Sequence, residues 1–464
     1  MQSLQFIYPE ITLAIFAIVL LCLSVFSNAK KIFGVLALAA IAVSAWLLPM
    51  SCQAGQHQFF HMLVNDTFSI FFRHVILLIA ALVVLLSMGS RTEEDCGEYY
   101  FFILTVTCAM MLGVASNNLM MMYLVLEAVS LISYLLAGYH KQDVYSSEAG
   151  MKYFIFGALS TGITLYGISL IYGMFGTLNL AGIFSQLSWV GVHPPGLFFI
   201  SILLLVGFGF KCSLVPFHMW TPDVYQGAPT PVAAFLSVGP KAMGFAFLLR
   251  TFFPGLPWFL FAGTIAILTM TIGNITAIKQ TYVKRLLAYS TIAHAGYIFL
   301  GLAIGSVAGW TAALFYIFVY VLMNLGAFAA VVAASNAVKC EQIEDFAGLY
   351  KRDPFTAIAF AVLLLSLAGI PPLAGFLAKF FILAAAVEAH CVTLAIVLVI
   401  NSVVALYYYA KIIKFMFFVE PKDTPYVAKP LALNLVLAIT AIGNIIIGIW
   451  PHFLMNWLVG LLQY

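Results

Sequence analysis

Charge is what this 464-residue sequence has least of: Asp, Glu, Lys and Arg together make up 8% of it, against 64% hydrophobic residues. An ordinary soluble domain carries roughly 25% charged residues, so the composition excludes a water-soluble fold. There is no Gly-Lys dipeptide anywhere, which excludes a Walker A phosphate loop and direct use of ATP through it. The seven cysteines (Cys22, Cys52, Cys96, Cys108, Cys212, Cys340 and Cys391) are scattered, with no Cys-x-x-Cys pair and no Cys/His cluster at metal spacing. Neither an iron–sulfur cluster nor a zinc site is therefore expected. No stretch is left over for a soluble domain. The first apolar run follows Glu10 and precedes Lys30 and Lys31, the reverse of the charge order of a cleavable signal peptide, and it reads as a permanent helix.

What is present is a series of apolar runs near the ~20 residues needed to cross a bilayer. They predict an all-α integral membrane protein with fourteen helices at about 6–26, 32–50, 68–89, 101–115, 118–139, 152–176, 196–220, 229–250, 256–277, 286–304, 308–336, 354–390, 391–416 and 431–456. Basic residues should gather on the cytoplasmic side. With the N-terminus outside, alternate loops collect Lys30, Lys31, Arg91, Lys141, Lys152, Lys279, Lys284, Arg285, Lys339, Lys351, Arg352, Lys411, Lys414, Lys422 and Lys429, while the opposite loops hold Arg250 alone and Arg73 sits near the start of the third helix. That segregation supports fourteen spans with both termini on the outer side. Residues 221–231, Thr-Pro-Asp-Val-Tyr-Gln-Gly-Ala-Pro-Thr-Pro, are dense in turn formers and read as a tight connector that also sets a helix break. Residues 140–152 read as a solvated loop.

An ionised side chain near the bilayer centre costs at least about 2.5–3.5 kcal/mol on insertion scales, so each is a functional candidate. Glu127, Lys211, Lys241 and Lys379 qualify, each embedded in apolar sequence. Lysines at helix ends usually snorkel to the interface, and Lys284 and Arg285 are read that way. Pro216 lies five residues beyond Lys211, and Pro371 and Pro372 lie just before Lys379. A proline inside a helix frees backbone carbonyls, which lipid tolerates only beside protein or water. Helices 7 and 12 are thus expected to be broken and hydrated. Five spans separate them, so they run in opposite directions, as inverted five-helix repeats require; the repeats are placed at 101–250 and 256–416, after three N-terminal helices in 1–100 and before a C-terminal helix in 431–464. Desolvation lowers the proton affinity of a buried ammonium and a carboxylate partner restores it. At an effective dielectric of about 20, unit charges about 8 Å apart interact by roughly 2 kcal/mol, comparable to the roughly 2.3 kcal/mol for one charge crossing 100 mV. Moving such a partner can therefore gate a proton. The expected route pairs Glu127 with Lys211 and continues through Lys241, with His218 and His294 as possible relays, to Lys379. A lone membrane histidine is as readily a hydrogen-bonded packing residue.

Phe210-Lys211, Pro216-Phe217-His218-Met219-Trp220-Thr221-Pro222-Asp223 and Ala228-Pro229-Thr230-Pro231-Val232 together resemble the signature shared by the antiporter-like membrane subunits of complex I and of Mrp-type antiporters. Ser147-Glu148-Ala149-Gly150-Met151-Lys152-Tyr153-Phe154, the run from Lys284 to Tyr297, and Leu367-Ala368-Gly369-Ile370-Pro371-Pro372-Leu373-Ala374-Gly375-Phe376 look most like the subunit N branch. A lysine rather than a glutamate at 379 favours that branch over subunit M, and the lack of a long C-terminal extension argues against subunit L. The resemblance implies a subunit of proton-translocating NADH:quinone oxidoreductase in the bacterial inner membrane. It also implies proton-path roles for Glu127, Lys211, Lys241 and Lys379. NAD, FMN, iron–sulfur clusters and quinone are expected in partner subunits rather than in this chain. The implied partners are the antiporter-like subunits M and L, the small subunits K, J and A, and the lipid bilayer, with no nucleic acid. A subunit of a multisubunit Na⁺/H⁺ antiporter, or a structural subunit whose lysines are vestigial, remain the alternatives.

Overall fold

The computed structural model describes residues 6–26, 30–52, 62–90, 97–190, 195–251, 258–337, 342–420 and 430–461. Arg91, Lys339, Lys422, Lys429, Cys96 and Cys340 lie outside them. Among the described residues the structure is helical, with only isolated bridges in extended conformation. In chain order the helices are α1 (Tyr8–Phe26), α2 (Lys30–Cys52), α3 (Thr67–Met88), α4 (Gly97–Val114), α5 (Leu119–Ala137), α6 (Val144–Phe175), α7 (Leu180–Val190), α8 (Pro195–Cys212), α9 (Trp220–Gly227), α10 (Thr230–Arg250), α11 (Trp258–Ile278), α12 (Val283–Ala303), α13 (Val307–Ala337), α14 (Leu349–Arg352), α15 (Pro354–Ala368), α16 (Ala374–Glu388), α17 (Val392–Phe418), α18 (Leu431–Ile449) and α19 (His452–Leu461). Among the described residues twelve helices are long and apolar enough to cross a membrane. Those of α6 and α13 run to 32 and 31 residues, and at 1.5 Å per residue α6 is about 48 Å long, well beyond the ~30 Å hydrocarbon core.

Several sequence expectations shift at this level. The run at 354–390 is two helices, α15 and α16, separated by the Pro371-Pro372 segment, and the run at 196–220 stops at Cys212. Residues 221–231 are not a plain connector, because α9 occupies most of them. Pro222 lies in its first turn, where a missing N–H costs nothing, and Asp223 lies at the positive end of the helix dipole. The helix ends as Ala228 turns extended ahead of Pro229. Residues 140–152 are likewise largely helical: Asp143 caps α6 by accepting from the Tyr145 N–H at 3.1 Å, and Glu148 and Lys152 pair along its surface at 2.7 Å.

The chain divides into two compact units, one comprising Met1–Val84, Asp95–Cys212 and Gly239–Pro257, the other Leu85–Glu94, Ser213–Val238 and Trp258–Tyr464. In the first, two arginines that sequence left without partners are both neutralised. Arg73 is fully buried and meets Glu10 at 3.1 Å, donates to Asn65 at 3.2 Å and covers the Phe6 ring. Arg250 binds Asp66 with both terminal nitrogens, at 2.7 and 2.9 Å, and donates to the Val114 carbonyl at 3.1 Å. In the second unit α12 and α13 are buried along most of their length.

Asp66 also caps α3, accepting from the Ser69 N–H at 2.8 Å. Burial works against its carboxylate form, but the Arg250 charge and the hydrogen bonds from Arg250 and Ser69 outweigh it and hold its pKa below the ordinary carboxylate value. A carboxyl depressed in the folded state contributes stability at neutral pH, and that contribution is lost as the pH falls through its folded pKa. Thermal unfolding in detergent is therefore expected to show an acid-side loss of stability that Asp66→Asn flattens. Asp66→Ala, which also removes the cap, is expected to cost about 1 kcal/mol more than Asp66→Asn.

Candidate functional site

In the first unit, α8 delivers Lys211 to its last turn, and the chain leaves the helix at Ser213, whose φ of 58° lies in the left-handed region. Lys211 is 1% exposed. Its Nζ lies 3.4 Å from the Tyr153 hydroxyl and 5.2, 5.8 and 5.9 Å from the ring centroids of Tyr153, Phe210 and Tyr134. Glu127 on α5 is half-buried and is the carboxylate that acts electrostatically on Lys211. Lys241 follows Pro240 inside α10, where the proline removes one backbone bond from the helix. It is 2% exposed, and its Nζ has no hydrogen-bond partner among the described residues. Cys212 touches its carbonyl oxygen, with Sγ at 4.0 Å.

In the second unit one backbone N–H at each break is taken up by a hydroxyl, and further side-chain hydrogen bonds surround them. The Val215 N–H donates to the Thr269 hydroxyl at 3.1 Å and Thr221 donates to Ser213 at 2.8 Å. The Gly375 N–H donates to Ser366 at 3.0 Å, and Ser366 in turn donates to Asn444 at 2.7 Å. Both breaks contain a cis X-Pro bond, at Val215-Pro216 and Pro371-Pro372. Lys379 lies in α16 and reaches back across its break: Nζ donates to the carbonyls of Leu367 at 3.0 Å and Ala368 at 2.8 Å, over the Tyr297 ring at 4.9 Å. Those carbonyls are the unsatisfied, negative end of α15, which favours a cation. Gly369 makes the approach possible. Its φ is 90°, and a β-carbon there would lie 2.9 Å from Lys379 Cδ.

His294 on α12 is buried and bonded at both ring nitrogens, Nδ1 to the Tyr316 hydroxyl at 2.8 Å and Nε2 to the Tyr409 hydroxyl at 3.2 Å. Tyr409 is also bonded to Ser290. In the neutral imidazole one nitrogen donates while the other accepts, and in the imidazolium both donate, so a proton arriving at one can leave from the other. The Tyr297 ring meets both His294, at 5.6 Å, and the Lys379 ammonium. Its hydroxyl accepts from Asn274, which also donates to Asn401 and accepts from Tyr408, at 3.1, 3.1 and 2.9 Å. His218 lies between α8 and α9, half-buried, with its carbonyl accepting from the Thr221 N–H at 3.0 Å. Lys284 and Arg285, read as snorkelling residues, are half-buried and brace α9 instead. Arg285 donates to Asp223 at 2.8 Å and Gln226 at 2.9 Å, and Lys284 to the Ala228 carbonyl at 3.1 Å.

A family model for the transmembrane region of NADH:quinone oxidoreductase and Mrp antiporters matches residues 116–405, the stretch that holds Glu127, the three lysines and both breaks. The chain belongs to this antiporter-like family. NADH-quinone oxidoreductase subunit N of Trichlorobacter lovleyi is 42% identical, with 98% of this chain and 96% of the relative covered. Subunit N of an Anaeromyxobacter species is 38% identical, with 100% and 97% covered. A chain of respiratory complex I from Thermus thermophilus superposes with a TM-score of 0.84 at 33% identity, covering 97% of this chain and 98% of that one. A chain of the Mrp complex of a Dietzia species reaches a TM-score of 0.88 over 99% of this chain and 96% of that one, but at 21% identity it shares the fold alone. Within the antiporter-like family, the resemblance to the subunit N branch is borne out.

Tyr134, Tyr153, Tyr297, Tyr316, Tyr409, Asn274 and Asn401 escaped sequence reading. Only Tyr297, one helical turn from His294, carried a spacing signal. The geometry at Gly369 gives a structural test. Gly369→Ala is expected to lower the unfolding temperature of the purified protein, since the left-handed backbone alone costs about 1–2 kcal/mol. Gly305→Ala has a similar φ of 70° but its β-carbon meets nothing closer than 4.0 Å, so a larger loss at 369 measures the displacement of Lys379.

Proposed function

We propose that this chain is a proton-translocating membrane-arm subunit of an NADH-quinone oxidoreductase, coupling electron transfer elsewhere in the complex to proton movement through its own buried lysines. The observation that carries the reading is that Lys211, Lys241 and Lys379 are all buried, in a chain whose near full-length relatives bear the name NADH-quinone oxidoreductase subunit N. An ammonium kept from water needs a function to justify its cost. The proton is taken up where Glu127 faces Lys211. It is then handed in order to Lys241, to His294 with its tyrosine partners, and to Lys379, with His218 as a further relay. Lys211 gives up its proton toward Lys241 when Glu127 disengages, because the desolvated ammonium then loses its counter-charge.

The accompanying topology is fourteen spans in the bacterial inner membrane, with both termini periplasmic. Inverted repeats occupy 101–250 and 256–416, each with one broken helix, between N-terminal helices in 1–100 and a C-terminal helix in 431–464. NAD, FMN, iron–sulfur clusters and quinone belong to partner subunits, and subunits M, L, K, J and A are the neighbours. The family also includes Mrp antiporters, which would use the same lysines without redox partners.

Affinity purification of the tagged chain from gently solubilised native membranes, assayed for NADH-quinone activity and iron–sulfur signals, decides between the two. Recovery of that activity is expected, and recovery of antiporter subunits without redox centres would overturn the assignment. In proteoliposomes of the recovered complex, Lys211→Ala and Lys379→Ala are each expected to lower NADH-driven proton uptake at least tenfold while NADH–ferricyanide activity is retained.

A further inference from the structure

The surroundings of Lys211 contain more than its carboxylate. Lys211 enters no ion pair of 4.0 Å or less among the described residues, so Glu127 acts on it from a distance. Among the described residues its Nζ donates one hydrogen bond, to the Tyr153 hydroxyl, and that is 3.4 Å long, beyond the ordinary 2.7–3.2 Å range. What surrounds the ammonium closely is aromatic. Tyr134 on α5, Tyr153 on α6 and Phe210 on α8 all place ring centroids within 6 Å of it, the range over which a ring face attracts a cation. The rings also hold one another, with Tyr134 edge-on to Tyr153 at 4.8 Å and Tyr153 against Phe210 at 5.8 Å. Tyr134 stands two turns beyond Glu127 on the same face of α5 and feels its charge as well. Gly157 admits it: a β-carbon there would overlap the Tyr134 hydroxyl.

We propose that Tyr134 and Tyr153 are positioning residues whose ring faces, with Phe210, form a cage that keeps the Lys211 ammonium in place while Glu127 disengages. The cage is a second, fixed counter-field beside the movable carboxylate. It holds the charged form long enough for the proton to be handed on, rather than lost back along the route of entry. The inference rests on the proposed proton role of Lys211.

The test uses the whole complex in proteoliposomes, reading proton uptake per NADH oxidised together with assembly on native gels, for Tyr134→Phe, Tyr134→Leu, Tyr153→Phe, Tyr153→Leu and Lys211→Ala. Phenylalanine keeps the ring face and leucine removes it. The Phe variants are expected to stay within about twofold of wild type and the Leu variants to fall about tenfold with assembly intact. Equal losses in Phe and Leu variants would assign the effect to the hydroxyls and overturn the cage. Undiminished uptake in both Leu variants beside a dead Lys211→Ala would overturn the cage alone, whereas normal uptake by Lys211→Ala would overturn the underlying proton reading. Should the Leu variants fail to assemble, phenylalanines carrying one, two and three ring fluorines at position 153 decide. They weaken the ring field at nearly constant shape, so a graded loss is expected and a flat response refutes the cage.

Discussion

The cost of keeping an ammonium group away from water governs this structure. Each of the three interior lysines would be unfavourable alone, and each is met differently: Lys211 by aromatic faces and a distant carboxylate, Lys379 by the carbonyl end of a helix, and Lys241 beside a proline-weakened turn with its Nζ free of direct hydrogen bonds among the described residues. A buried charge held by strong, fixed partners is stable but does not exchange its proton readily, while one held weakly is costly yet responsive. The three environments span that range.

Helix breaks are how the fold makes room for these charges. Ending α8 at Cys212 and α15 at Ala368 exposes backbone groups that lipid could not satisfy; Thr269 and Ser366 each accept a backbone N–H just beyond those ends, and Ser366 is held in turn by Asn444. Arg285 and Lys284 then tie α9 to α12, so the segment after the first break is anchored rather than loose. The same economy is visible around His294, where phenols and amides rather than charges carry the hydrogen-bond chain. Neutral groups that both donate and accept can relay a proton without paying a second desolvation penalty.

Much of this was legible beforehand because the signals were extreme. Apolar runs and rare internal charges stand out against any background, so Glu127, Lys211, Lys241 and Lys379, the all-helical class and the two proline breaks could be read directly. The short helix α9 was missed because turn-forming residues also suit a helix's first turn, as Pro222 and Asp223 do, and α7, at 11 residues, is too short to stand out as a span. The tyrosines around Lys211 and His294 were hidden for another reason. In a chain with 22 tyrosines, and apart from the spacing of Tyr297 from His294, nothing in the sequence separates a ring facing lipid from one facing a charge; that depends on which helices pack together. Arg73 and Arg250 were legible as charges, but their partners Glu10 and Asp66 lie too far along the chain for any spacing rule.

The carbonyl cradle around Lys379 has an evolutionary consequence. Leu367 and Ala368 contribute through backbone oxygens, which no substitution at those positions removes provided the helix still ends there. The surroundings of Lys211 are built from side chains, each of which a single codon change can erase. Sequence drift can therefore retune the environment of Lys211 stepwise, whereas that of Lys379 persists until a change at the break itself, at Gly369 or the paired prolines, abolishes it at once.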